Sequence, residues 1–328
     1  MNKMLTAGVI GATGYTGREL VGLIERHPRL RVEWATSEAE AGTMVAAVRR
    51  LRYESSRDVD LAGPDLVFSC LPTGQSAEVV LRARSAGAKV VDLSADLRPG
   101  EGPAISEGEA VYGLTELWRN EIAGAALVAN PGCYPTGVLL GLSPLLMAGV
   151  VDTSRALIVN AASGVTGAGR TAKRELLFAE VAEDYRAYGV GNGHRHVPEL
   201  AAGLARAAGG CAPDFVFTPH LLPVRRGILE TIYIPVSAGT TATDLLSVLS
   251  EAYEGEPFIE VWSEGLPPLA AAVGRNVVAI GMADVERVES PLVTCVVVLD
   301  NLVKGAAGQA LQNANLMLGL PEAEGLPC

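Results

Sequence analysis

Three stretches and two histidines carry residue types that could do chemistry. In NPGCYPTGVLLGL, residues 130–142, Cys133 stands between a Pro-Gly pair and Pro135, at the start of a long apolar segment. Proline is favoured at the first position of a helix, so a helix is predicted to open near Tyr134–Pro135 with the thiol at its N-terminus. There the helix dipole and several unpaired N–H groups favour the thiolate, the nucleophilic form. The same N–H groups can stabilise an oxyanion at an attacked carbonyl, and Asn130 can add a side-chain donor. Cys70 and Cys295 in strand-like runs, Cys211 in a loop and Cys328 in the tail read as non-catalytic.

A cysteine nucleophile needs a group to move protons. His27 reads as an ordinary helix terminus and His220 as a satisfied core residue. His194 and His196 stand in GVGNGHRHVPEL, residues 189–200, a glycine-rich loop running into a helix. In an extended loop the two would share a side, with Arg195 facing away. Either is a candidate acid/base, and one can serve to hold the other, or Glu199, in place. A second stretch, NAASGVTGAGRTAKRE (160–175), combines glycines able to cradle an anion with Arg170, Lys173 and Arg174. It reads as a pocket wall for a phosphorylated or carboxylated substrate.

The third stretch is GATGYTG, residues 11–17, between an apolar run and a helix pattern. Gly11, Gly14 and Gly17 give G-x-x-G-x-x-G, a relative of the dinucleotide fingerprint, in which a pyrophosphate rests on a helix N-terminus. Thr36 and Ser37, ending the next strand-like run, can bond a ribose phosphate. Glu38 and Glu40 would repel one, and an acid here more often accepts from a ribose 2′-OH. NADP and NAD both stay open on these residues.

The elements that must position these groups alternate in the first half. Strand-like runs at 5–10, 31–36, 65–72, 88–96 and 126–130 are separated by helix patterns at 17–27 and 75–85, which predicts a parallel, doubly wound sheet. After Val150 come longer strands at 155–163, 214–224, 227–236, 276–285 and 291–300, with helices predicted at 171–187, 197–208 and 243–254. That is a mixed, largely antiparallel sheet covered by helices. A small-residue helix over 304–319 is expected to pack back on the first domain. The fold class is therefore α/β: a Rossmann-type nucleotide domain (1–130 with 301–328) plus an α+β catalytic and oligomerisation domain (131–300).

The chain has 328 residues, 49% hydrophobic, with a formal charge of −11 and no cationic patch, which argues against nucleic acid or an anionic membrane as partner. Five widely spaced cysteines offer no metal spacing and fit a reducing cytoplasm. No apolar run is long enough to span a bilayer. The expectation is a cytoplasmic protein with no metal.

GATGYTGREL, DLSADLR, YGLTEL, NPGCYPT, SGVTGAGR, GHRHVPE and DNLVKGAAGQALQNANLMLGLPE occur in this order from residue 5 to about 322. Together they resemble N-acetyl-γ-glutamyl-phosphate reductase of arginine biosynthesis, NPGCYPT being the most telling. The aspartate-semialdehyde dehydrogenases are a more distant resemblance with the same two-domain plan. The resemblance implies NADPH-dependent reduction of a small-molecule acyl phosphate through a Cys133 thioester, with His196 or His194 managing the proton. It implies nucleotide contacts from Gly11, Thr13, Gly14, Tyr15, Thr16, Gly17, Thr36, Ser37, Pro72, Ser163 and Asn301. It implies substrate contacts from Asn130, Arg98, Arg170, Arg195 and Glu199, and a homotetramer or homodimer.

The chain departs from the family at Glu38, where a basic residue is usual, so NAD(H) stays open beside NADP(H). It departs also at Thr73, where Leu-Pro-Thr-Gly replaces Leu-Pro-His-Gly, and in segments 42–64 and 99–110, which look shortened. Competing readings are an aminoadipyl-phosphate reductase of carrier-protein lysine biosynthesis and a non-catalytic nucleotide-binding sensor.

Overall fold

Short apolar runs of the LTAGVI kind have no polar face to offer water, so they form strands covered on both sides. A computed structural model describes residues 4–45, 47–48, 50–100 and 110–328. The chain divides into two compact units, Met1–Gly132 with Ala306–Pro327, and Cys133–Gly305 with Cys328. Asn301 and Lys304 thus belong to the second unit, a few residues beyond the expected boundary. Segment 42–64 is described apart from residues 46 and 49, and 99–110 lies mostly outside the described residues.

The first unit contains β1 (Leu5–Ile10), α1 (Tyr15–Arg26), β2 (Leu30–Thr36), β3 (Tyr53–Glu54), β4 (Leu66–Ser69), α2 (Ala77–Ser85), β5 (Lys89–Asp92), β6 (Val111–Tyr112), α3 (Thr115–Ala123) and β7 (Leu127–Ala129). Its strands lie in the order β3-β2-β1-β4-β5-β7-β6, every pairing parallel. That is the doubly wound sheet expected. The sequence reading missed the short β3 and β6 and the kinked α3, whose Trp118 has non-helical dihedrals.

The second unit contains α4 (Cys133–Met147), β8 (Leu157–Gly164), α5 (Phe178–Val181), β9 (Arg186–Ala187), α6 (Val197–Ala207), β10 (Phe215–Leu222), β11 (Ile228–Pro235), α7 (Ala242–Ala252), β12 (Ile259–Trp262), β13 (Val278–Asp284) and β14 (Leu292–Leu299). The order β12-β13-β14-β11-β8-β10-β9 is mixed, with parallel pairs only at β12–β13 and β8–β10. Alternation separates the faces: Ile228, Glu230, Ile232 and Ile234 of β11 are buried, while Leu229, Thr231 and Tyr233 are half-buried. On the less covered face, Ile158 and Val216 pair in register and are both exposed.

The helix expected over 171–187 does not form. A 3-10 turn (Arg174–Leu176), the single turn α5 and the strand β9 take its place. Leu177 and Phe178 stay exposed while Val181 is buried, and Glu183 has φ +61, so the apolar residues do not share one buried helical face and the helical backbone is interrupted. The last helix starts later than expected: a π-helical turn (Val303–Ala307) precedes α8 (Gly308–Met317). No helix among the described residues is long and apolar enough to cross a membrane.

Candidate active site

The glycine turn follows β1. Gly11 has φ +74, where a side chain is strained, and its N–H donates to Thr36 Oγ1 at 3.2 Å. Gly17 is fixed by space: an added Cβ would lie 2.6 Å from the Gly11 carbonyl oxygen. At Gly14 the nearest such atom is 3.7 Å away, so this glycine faces room and leaves backbone open to approach. No side chain caps α1 and no acid lies in its first turn, so its N-terminal N–H groups are offered to an anion. These residues fit a dinucleotide pyrophosphate. Thr13, Tyr15 and Thr16 are half-buried around the turn, and Thr13 Oγ1 meets Ser37 Oγ at 3.2 Å.

Thr36 and Ser37 are both buried, and Thr36 is engaged in holding the turn. Glu38 is exposed and accepts from Ser55 Oγ (3.0 Å), Ser56 N (2.8 Å) and Ser56 Oγ (2.7 Å). Those hydrogen bonds, that of the Ser56 N–H foremost, hold its carboxyl below the usual range, so it is an anion at the end of β2. Pro72 and Thr73 lie in a turn where Gln75 N donates to the Pro72 carbonyl, and both are exposed.

DLSADLR makes a set of local hydrogen bonds. Asp96 accepts from the N–H groups of Gly74, Ser76 and Ala77 at the start of α2. Arg98 is buried and donates to the carbonyls of Asn130 (2.8 Å) and Leu93 (2.8 Å). Asn130, read as an oxyanion donor, is buried too. Its Nδ2 donates to the Ala306 carbonyl (3.2 Å) and its Oδ1 accepts from Asn313 (3.0 Å). Asn313 and Gln309 of α8 both donate to the Gly113 carbonyl, tying the YGLTEL and NPGC segments to that helix.

In the second unit, Cys133 is half-buried and is itself the first residue of α4, one position earlier than predicted. An added Cβ on Gly305 would lie 2.9 Å from the Cys133 Cβ, a close approach that sequence reasoning missed. The adjacent Tyr134 ring packs edge-on to His194 (5.5 Å between centroids) and His196 (6.0 Å), and its Oη is 3.0 Å from Tyr188 Oη. Burial raises both phenols, and for Tyr188 the neighbouring Cys133 adds to the rise. Burial likewise pushes Cys70 and Cys295 well up, consistent with inert thiols.

The histidine loop is a series of tight turns, not extended: Gly189, Gly191 and Asn192 have φ +54, +73 and +59. Asn192 bonds the backbone of Phe215 and Phe217, so the loop is tied to β10. The rings of His194 and His196 still meet, 4.8 Å apart and edge-on. His194 Nδ1 accepts from the His196 N–H at 3.1 Å, which leaves Nε2 as the protonated nitrogen of the neutral ring. Burial, then Arg195, pulls His194 down to about 4. His196 and Glu199 are buried.

A cavity of about 370 Å³ is lined by Ser163, Gly167, Lys173, Tyr188, His194 and Arg195 among others. Arg195 therefore shares this cavity with His194 instead of facing away. Arg170 is exposed and does not line it. Asn301 accepts from Gly227 N (2.7 Å) and donates to Thr166 Oγ1 (3.0 Å), bracing the glycine loop. His220 is half-buried and stacks on Tyr185, not in the core. His27 bonds Asn315 and Arg29 N.

Two family descriptions match: "Semialdehyde dehydrogenase, NAD binding domain" over residues 6–125 and "Semialdehyde dehydrogenase, dimerisation domain" over 133–301. A Geobacter sp. (strain M21) protein named N-acetyl-gamma-glutamyl-phosphate reductase is 46% identical, covering 98% of both chains. One of the same name from Symbiobacterium thermophilum is 44% identical, over 98% of this chain and 97% of its own. A probable chloroplastic one from Oryza sativa subsp. japonica is 41% identical, over 97% and 80%. Among solved structures, aspartate semialdehyde dehydrogenase II of Vibrio cholerae complexed with ASA has a TM-score of 0.77 at 19% identity, covering 97% and 99%. Aspartate semialdehyde dehydrogenase with NADP from Candida albicans has a TM-score of 0.70 at 17% identity, covering 96% and 99%.

Proposed function

This chain belongs to the N-acetyl-γ-glutamyl-phosphate reductase family, and from that premise we propose that it reduces N-acetyl-γ-glutamyl phosphate to N-acetyl-L-glutamate 5-semialdehyde and phosphate with NADPH, in arginine biosynthesis. The observation that carries the chemistry is Cys133 at the first residue of α4, followed by Tyr134, whose ring packs on His194 and His196. The Cys133 thiolate attacks the acyl carbon. The carbon–oxygen bond to phosphate breaks, phosphate leaves with the electron pair, and a thioester remains on Cys133. Reduced nicotinamide, when bound, would supply a hydride to the thioester carbon, after which the carbon–sulfur bond breaks, its electron pair returns to Cys133 as thiolate, and the aldehyde is released.

His194 is the proton-handling candidate, because it lines the cavity and its Nε2–H can donate to the carbonyl oxygen while negative charge builds there. His196 supports it, since its backbone N–H fixes the His194 tautomer. Arg195 and Lys173 on the cavity wall suit the substrate's anionic groups. The glycine turn at 11–17 suits the nucleotide pyrophosphate. Glu38 narrows the preference for NADPH over NADH, because its anion opposes a 2′-phosphate. The incompletely covered sheet face, with Ile158 and Val216 exposed, supports association of two or four copies. The five widely spaced cysteines accord with a reducing cytoplasm.

Phosphate-dependent reduction of NADP, and separately of NAD, with N-acetylglutamate semialdehyde tests the reading in wild type and Cys133→Ser. Turnover requiring both phosphate and Cys133 is expected, with nucleotide binding kept in the serine variant. No turnover with either nucleotide, or turnover unaffected by Cys133→Ser, would overturn it. Aminoadipate semialdehyde is the control substrate for the longer acyl chain.

A further inference from the structure

Glu230 of β11 faces α4 from the sheet. It is wholly buried, and neither carboxyl oxygen has a hydrogen-bond partner among the described residues. Burial alone drives its carboxyl well above the usual carboxylate range, which favours the neutral acid. A buried polar group left unpartnered is destabilising, and an apolar side chain would avoid that cost. The position therefore calls for an explanation.

The geometry supplies one. An added Cβ on Gly137 would stand 2.2 Å from Glu230 Oε2, 2.8 Å from its Cδ and 2.9 Å from Leu299 Cδ2. The carboxyl thus occupies the space against the helix backbone that a side chain at 137 would fill. Gly137 is four residues after Cys133, so the two share a face of α4. The same face is pressed on its surroundings at neighbouring turns: Gly141 against Val297, with 3.0 Å to an added Cβ, and Cys133 against the Gly305 backbone. A carboxyl is flat, and the gap between a helix backbone and Leu299 suits a flat end better than the tetrahedral end of leucine.

We propose that Glu230 is a positioning residue for Cys133: its carboxyl, wedged against the Gly137 backbone one turn beyond the cysteine, sets the depth at which the first turns of α4 lie on the sheet and so where the thiol stands. The proposal rests on the reading of Cys133 as the nucleophile. Its test uses a reaction that needs no substrate, so failure of the substrate assignment leaves it legible.

The experiment is alkylation of Cys133 by iodoacetamide at pH 7 in the full-length protein, followed by mass spectrometry of the Cys133 peptide and limited to variants with native circular dichroism. Glu230→Gln keeps the flat shape and should retain the wild-type rate. Glu230→Ala and Glu230→Leu should lower it roughly fivefold through altered surroundings of the thiol. In turnover both should lower kcat by about tenfold to a hundredfold, with KM moving much less. Gly137→Ala alone should lower the rate as well, and adding Glu230→Ala, which vacates the space the new methyl needs, should restore part of it. Alkylation and kcat unchanged in folded Glu230→Ala would overturn the proposal, as would a Gln variant as impaired as Ala. Strictly additive losses in the double variant would also overturn it.

Discussion

Pro144 lies inside α4 and has no N–H, so the Leu140 carbonyl four residues earlier loses its helical donor. Tyr253, at the C-cap of α7, supplies a replacement: its Oη donates to Leu140 O at 2.6 Å, and the side chain is buried. Tyr253→Phe keeps the ring and removes the donor, leaving a buried carbonyl short of its partner at a cost of about 1–3 kcal/mol. For a folding unit of this size each kcal/mol moves Tm by about 2–4 °C, so a fall of roughly 4–8 °C is expected for a mid-range cost. Thermal and urea unfolding followed by circular dichroism would measure it.

A second change makes the reasoning specific. Pro144→Ala restores a backbone N–H that can reach Leu140, so Tyr253→Phe should cost about 1 kcal/mol less in that background. Equal cost in both backgrounds would refute the argument that the tyrosine serves the carbonyl the proline strands. A loss below about 0.5 kcal/mol in the wild-type background would refute it too, since that is the ordinary range for inconsequential surface changes.

Gly17→Ala should detach α1 from the turn, because the new methyl meets the Gly11 carbonyl oxygen at 2.6 Å and Ala12 Cα at 2.7 Å. Nucleotide affinity by calorimetric titration should fall roughly tenfold and stability by about 1–3 kcal/mol, whereas Gly14→Ala, with its nearest atom at 3.7 Å, should lose affinity and keep stability. Equal melting temperatures for Gly17→Ala and wild type would contradict this. His194 tests the pH dependence. Its folded value, about 4, lies below the ordinary 6.5, so the folded state favours the neutral ring. The stability this contributes is complete above pH 6.5 and is lost as pH falls toward 4. The full shift would correspond to about 3 kcal/mol, which solvent screening of a half-buried ring reduces to about 1–2 kcal/mol. His194→Gln should flatten the stability slope across that window by this amount, and an unchanged slope would show that the ring titrates normally.

Groups whose role depends on neighbours along the chain are legible in the amino-acid order itself. The glycine turn can be read because its tight bend and helix start follow within seven residues, and Cys133 because prolines and an apolar run mark the helix beside it. The parallel first sheet and the mixed second one follow from the spacing and length of apolar runs. The helix expected over 171–187 fails because local composition allows a helix, yet no core surface takes up Leu177 or Phe178.

Arg98 and Asn130 show where such reading stops. Their residue types suit anions and oxyanions, and only the fold reveals that their hydrogen bonds go to Leu93, Asn130, Ala306 and Asn313. Local patterning suffices for the two sheets, the phosphate-type turn and the cysteine at a helix start, since hydrophobic period, glycine conformation and helix capping are properties of neighbours in the chain. Long-range packing settles which histidine faces the cavity, why Gly305 and Gly137 carry no side chain, and that Glu230 is buried beneath the cysteine's helix. Those facts depend on which distant backbones come within van der Waals distance, and no local pattern encodes that.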